Sequence, residues 1–447
     1  MDPIILANSS WTLSSAAVVL LMTPGVALFY TGILSNNHVL STIIIITAAY
    51  CVVSLQWFLF GYSLVFSPDG GTFVGNFYYG ALYNVVDAAA VNPVAPTIPL
   101  ITHCLFQLQF ATVTVAIIFG AVGGRVRIIP ALVFAFLWTT LVYDFVAYWT
   151  WGNFGWLRNL NCLGQTCGEG ALDFAGGGPV HIASGAAGLA FAFAVRGRKG
   201  CKTLPKHNLV NVYLGTCLIW FGWLGFNGGS ALSPNTRGAM AAFVTVLASA
   251  ASCITWISVE YWRHRKFSSV GLCTGIIAGL VGVTPGSGYV PPWAAFVIGS
   301  LTAIACYFAC EKLNDILRVD DTLNAFACHG VGGIVGGFLT GIFAEKNVAA
   351  LDGSVISGSA ITGYPKQIGF QLVAITVITA WSFVVTYLIV FLLKKVMQVT
   401  YDETCETVGA DSFEMTEKTY NIQGIAWPTD SDLCGNGVST SSPSPEP

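Results

Sequence analysis

Two histidines stand at spacings that suit proton chemistry. His181 follows Asp173 by eight residues, and His329 follows Asp321 by eight. Glycines come four and seven residues after each histidine: Gly185 and Gly188, then Gly333 and Gly336. The four matched positions share one offset of 148 residues. A neutral imidazole has one donor and one acceptor nitrogen, so two adjacent rings can bond to each other and pass a proton. Two charged rings would repel, so a touching pair takes up one charge at a time. A lone histidine in an apolar run reads as a buried ring bonded to a backbone carbonyl. Two at matched positions read as a functional pair, since ionisable groups inside a membrane mark substrate and proton paths. The glycines read as sites of close helix packing.

The elements that must hold these rings are membrane helices. Of the 447 residues, 54% are hydrophobic and only 9% are charged, against roughly a quarter charged in soluble domains. The 49 glycines suit helices that pack backbone to backbone in lipid. A span needs about 20 mostly apolar residues. Charge-free runs place spans near 11–33, 39–66, 101–121, 128–151, 177–196, 208–230, 238–260, 268–285, 292–311, 322–344 and 367–395, eleven in all. With the N-terminus outside, the inner loops collect Arg125, Arg127, Arg196, Arg198, Lys199, Lys202, Lys206, Arg263, Arg265, Lys266, Lys312 and Arg318. The inner tail adds Lys394, Lys395 and Lys418, leaving only Arg158, Arg237, Lys346 and Lys366 outside. That asymmetry is the signature of cytoplasmic loops. The histidines fall in spans five and ten, so a five-span repeat (about 11–196 and 208–344) must run in opposite directions. Inverted repeats of this kind put the working site near the midplane between the halves.

At these residues the chain resembles the ammonium transporter family (Amt/Mep/Rh). The resemblance rests on TPGVALFYTG (23–32), ALDFAGG (171–177), WFGWLGFNGGSA (220–231), GLCTGIIAGLVGVTPGSGYV (271–290), RVDD (318–321) and HGVGGIVGG (329–337). It runs in order over about residues 11–423, in a spelling nearer to eukaryotic Amt and Mep members than to Rh proteins. The resemblance implies an all-α polytopic fold of eleven transmembrane helices, a five-plus-five inverted repeat with an extra C-terminal helix. It also implies a homotrimer in the plasma membrane, N-terminus outside and C-terminus cytosolic, with one pore per subunit. Carried over by position, His181, His329 and Trp223 line the pore. Phe110 and Phe226 form its gate, with Phe106 one turn before Phe110. Trp151, Ser230, Phe110 and Asp173 make the outer substrate site for ammonium or methylammonium. Asp173, just before a helix, also reads as a brace for its own glycine-rich turn.

The remaining features are read from the residues. No cofactor, metal or nucleic-acid partner is expected. Metal centres take three or four ligands, no HExxH pattern occurs, and His38, His103, His207 and His264 fall near loops or span ends. A gas channel of the Rh kind is the nearest rival function, but an outer cation site has little use there. An ammonium sensor is another rival, though its hallmark would be a long folded cytosolic domain, and the tail is only 398–447. Most of the 13 cysteines, such as Cys51, Cys217, Cys253 and Cys306, sit in apolar runs as small hydrophobes. Cys162 and Cys167 flank a short loop and can pair if it is extracellular. The N-terminus lacks the basic stretch of a cleavable leader. The Asn8-Ser9-Ser10 sequon lies in the outer segment 1–10, too close to the first span to be used. Asp144, seven residues before Trp151, either bonds a neighbouring helix or faces a vestibule.

In the tail, Gly409 supplies a turn, and the acidic stretch 398–423 is expected to dock on the basic loop 196–206 and regulate the pore. Ser412 beside that turn is a candidate phosphosite. The plant branch has its regulatory threonine one residue further on, where Phe413 stands. Residues 435–447, rich in Ser, Pro and Gly, read as disordered.

Overall fold

A computed structural model describes residues 2–87, 90–162, 165–197, 206–417 and 419. Among them are eleven helices of membrane-crossing length and composition: Pro3–Ile33, Asn36–Phe66, Leu100–Val122, Ile128–Trp151, Gly177–Ala194, Leu209–Gly229, Thr236–His264, Ser269–Gly286, Pro292–Leu317, Phe326–Phe343 and Lys366–Val396. They are numbered below as spans one to eleven. An odd count puts the two chain ends on opposite faces, here the tail side and the far side. Arg198, Lys199, Lys202 and Lys418, counted above as inner charges, and the segment 435–447 lie outside the described residues.

Span ends follow water and capping more than hydropathy. Span one starts at Pro3, behind the capping carboxylate of Asp2, not at residue 11. Asn8 is therefore helical and buried, and its amide donates to the Thr97 carbonyl at 3.3 Å. Span one breaks at Leu21, where Pro24 can neither donate nor fit against the carbonyl of residue 20. Spans seven and nine outrun their charge-free stretches, because a helix continues into water once charged residues can be solvated. Pro292 opens span nine at the first helical position, which needs no N–H. Span ten begins at Phe326, four residues later than the apolar run, after a turn with Asn324 at φ 56°.

The halves match in detail around the histidines. Spans five and ten each open with a π-helical turn, Gly177–Ile182 and Phe326–Gly330. The Asp173 carboxylate accepts from the N–H groups of Gly176, Gly177 and Gly178 at 2.6–2.8 Å. Asp321 does the same for Ala325 and Phe326 at 2.9 and 2.8 Å. The two spans then cross, each on the other's glycine. A Cβ on Gly185 would lie 2.3 Å from the Gly330 nitrogen, and one on Gly333 would meet the Gly177 oxygen at 2.9 Å. Only glycine permits this approach, and the approach brings the histidines together. Span eleven closes the bundle against spans four and five, with Trp138 Nε1 donating to Thr386 Oγ1 at 2.8 Å and Ser382 Oγ to the Ala183 carbonyl at 2.6 Å.

Asp144 bonds a neighbouring helix. It is buried between spans two and four and accepts from Gln56 Nε2 at 2.7 Å. It lies beside the π-helical turns Trp57–Gly61 and Thr139–Tyr143 and lines neither cavity described below. Cys162 and Cys167 are joined as a disulfide.

Candidate functional site

His181 and His329 meet with their Nδ1 atoms 3.3 Å apart. One Nδ1 must donate and the other accept, so the two neutral rings are opposite tautomers. His181 is fully buried, its ring 5.1 Å from that of Trp223 and nearly parallel to it. Its Nε2 has no hydrogen-bond partner. Trp223 is held in place by Nε1 donating to Thr284 Oγ1 at 2.9 Å. Above His181, Phe226 and Phe110 stack at 4.1 Å between centroids. Phe106 packs edge-on to Phe110 at 5.0 Å and is fully buried. It backs the stacked pair and lines neither cavity.

This column separates two cavities. The far-side cavity, about 430 Å³, is lined by Phe110, Trp151, Asp173 and Ser230 among others. The tail-side cavity, about 450 Å³, is lined by Trp223 and His329, with Glu260, His264 and Glu311 nearer its mouth. Among the sequence-predicted site residues, Trp151 stands edge-on to Phe110 at 5.9 Å, and its Nε1 donates to the Asp173 carbonyl at 3.0 Å. Ser230 Oγ donates to the Phe226 carbonyl at 2.8 Å, so what remains on it is acceptor capacity.

Asp173 combines two positions of the prediction. It borders the far-side cavity, but both oxygens accept the N–H groups that open span five. Burial pushes its carboxyl up and those three N–H groups pull it back. Burial likewise raises Asp321, to about 6, against its two backbone donors. Asp173→Ala should lower the thermal midpoint in detergent, since losing a cap costs about 0.5–2 kcal/mol. Transport falling with an unchanged midpoint would assign the carboxylate to substrate instead.

Two residues of the far-side cavity escaped the sequence reading. His103 reads in the sequence as a span-end histidine. It is buried, with Nδ1 3.1 Å from Tyr62 Oη and Nε2 3.4 Å from Gln107 Nε2. The visible signal was a histidine four residues before a glutamine in a charge-free run. Arg237 reads in the sequence as an outer loop charge. Its guanidinium lies 4.8 Å from the ring centres of both Phe174 and Tyr289, and it donates to the Gly288 carbonyl and to Asp352. Only the tertiary fold shows that pairing.

The tail docks, and its contacts reach beyond the basic loop 196–206 to two turns at the starts of spans. Gly409 has φ 107°, and a Cβ there would come 2.3 Å from Asn37 Cβ. Asp411 accepts from the Leu40 and Ser41 N–H groups at 2.9 and 2.8 Å, capping span two. Glu414 accepts from the Ile128 N–H at 2.9 Å and pairs with Arg127 at 2.8 Å, capping span four. The seat is thus the turn at 35–41 and the turn at 125–128. Of the loop 196–206, Arg196 pairs with Glu406 at 3.1 Å, Lys206 lines the tail-side cavity, and Arg198, Lys199 and Lys202 lie outside the described residues. Ser412 is exposed.

A crossed-helix inverted repeat with two imidazoles between opposed cavities defines a polytopic membrane transporter. The profile of the Ammonium Transporter Family matches residues 10–420. Ammonium transporter 1 of Schizosaccharomyces pombe is 42% identical over 417 residues, spanning 92% of this chain and 82% of the relative. Ammonium transporter MEP2 of Saccharomyces cerevisiae is 39% identical, over 93% and 83%. The crystal structure of Candida albicans Mep2 superposes with a TM-score of 0.79 at 43% identity, covering 86% of this chain and 83% of that one. The chain belongs to the Ammonium Transporter Family.

Proposed function

We propose that the protein takes ammonium into its far-side cavity, strips one proton and passes ammonia along the histidine column to the tail side. The observation that carries this reading is the bonded histidine pair sealed beneath stacked phenylalanines, between two cavities. Ammonium and potassium are close in size and equal in charge. They differ in that ammonium donates hydrogen bonds and can lose a proton. In the cavity, Trp151 and Phe110 offer ring faces worth about 0.5–2 kcal/mol each to a cation, and Ser230 offers lone pairs. At the phenylalanines the lining turns apolar, and a full charge at mid-membrane costs at least about 2.5–3.5 kcal/mol. Neutral ammonia avoids that cost. The unpartnered Nε2 of His181 gives it a first hydrogen bond below the gate.

The supporting orientation is the far side outside and the tail in the cytosol, which follows the distribution of Lys and Arg. The assembly proposed is a homotrimer in the plasma membrane, one pore per subunit. The tail acts as a regulatory strap. Because Asp411 and Glu414 cap two different spans, undocking frees two helix ends at once. A phosphate on Ser412 would add about two negative charges beside both capping carboxylates and loosen the strap.

Uptake of labelled methylammonium by cells expressing the protein tests the reading. Ammonium should compete and equimolar potassium should not; competition by potassium would reject it. Within the same assay, Trp151→Leu removes a cation–π face and should raise the half-saturating concentration about two- to thirtyfold, the equivalent of 0.5–2 kcal/mol. Superimposable saturation curves would deny Trp151 its recruiting role.

A further inference from the structure

We propose that Cys310 and Cys328 form a two-thiol site in the tail-side cavity that binds soft, thiol-seeking electrophiles and closes the pore when occupied. Their sulfurs lie 3.7 Å apart. Both residues line the tail-side cavity together with His329, the residue after Cys328. The pair joins two elements, span nine and the opening π-helical turn of span ten. Cys306, one turn earlier on span nine, holds the second element in register through its thiol on the Cys328 carbonyl at 3.7 Å. Most other cysteines of the chain fit the small-hydrophobe reading. These two meet each other at the wall of the tail-side cavity.

The spacing selects the ligand class. An atom bonded tetrahedrally to two sulfurs at about 2.3 Å holds them about 3.8 Å apart, so one bridging atom fits with little movement. Among the described residues no group of three or more Cys, His, Asp or Glu gathers to hold a metal ion. The site therefore suits an electrophile satisfied by two thiolates at a bent angle, such as a trivalent organoarsenical. With phenylarsine oxide the step is a condensation. Two As–S bonds form, the As–O bonding is lost, and the oxygen leaves as one water carrying both thiol protons. Arsenic stays trivalent and no electrons move. The phenyl group then occupies the cavity directly below His329.

Phenylarsine oxide applied to the reconstituted full-length protein tests this, read by adduct mapping and by ammonium-evoked current. Wild type should take up one arsenical that links the Cys310 and Cys328 peptides. It should lose most of its current and regain it with 2,3-dimercaptopropanol. Each of Cys310→Ala and Cys328→Ala should lose the linkage and the block, measured against that variant's own untreated current, while Cys217→Ala keeps both. Block surviving in the two variants, or a wild-type adduct mapping elsewhere, overturns the proposal. The current arm rests on the transport reading above and the adduct arm does not. A linked adduct in a protein with no ammonium current at all would leave the site standing and count against that reading.

Discussion

Replacing His181 and His329 together by alanine should abolish ammonium-specific conduction, with a fall of about a hundredfold or more, the low end of what a positioned proton-transfer group contributes. Neither ring is replaceable by its neighbours. The Nδ1–Nδ1 contact of 3.3 Å is the histidine–histidine bond in the column, and the residues around it are Trp223, Phe226 and glycines that cannot carry a proton. Two alanines would also leave a void where water can enter, weakening the barrier that excludes charged ions. The double variant should therefore lose ammonium over potassium discrimination along with rate. Unchanged uptake with unchanged selectivity would defeat the relay.

The second large effect belongs to the tail. Gly409→Asp forces a side chain onto a backbone at φ 107° and into the Asn37 side chain. Backbone strain of this kind costs about 1–3 kcal/mol, and the clash adds to it. The caps on spans two and four should then release together, since Ala410, whose N–H donates to His38 Nδ1 at 3.2 Å, and Asp411 follow directly in the chain. At equal surface expression, Gly409→Asp should lose most transport, and Ser412→Asp should lose part of it. Truncation after Lys395 completes the comparison: loss in Gly409→Asp with activity kept on truncation marks a tail that gates. Full transport in all three variants would sink the regulatory reading.

The eleven spans were legible because lipid demands long apolar runs, and their alternation was legible in the basic residues. The crossing of spans five and ten was half legible. The 148-residue offset showed the matched histidines and glycines, but only the fold shows that Gly185 and Gly333 seat each helix on the other. Helix ends were less legible, because Asp321 delays the start of span ten and water lets span seven run on to His264. Contacts between distant residues left no local trace. Arg125 shows why. It reads as an inner loop charge, yet it is fully buried and donates to the carbonyls of Ala121, Arg196 and Asp320. Likewise the acidic tail suggested basic partners, which Glu406 and Glu414 find in Arg196 and Arg127, but Asp411 and Glu414 also accept backbone N–H groups at helix starts. Charge counting cannot see an unpaired N–H.

The central claim is that charge stops at the phenylalanines and only a cation able to shed a proton gets through. Current recording on reconstituted membranes tests it most directly, with equal pulses of ammonium, methylammonium and potassium from the far side. The account predicts signals for the two protonated amines, none for potassium, and loss of the amine signals when His181 and His329 are both alanine. A potassium signal of similar size in the wild-type protein would contradict it.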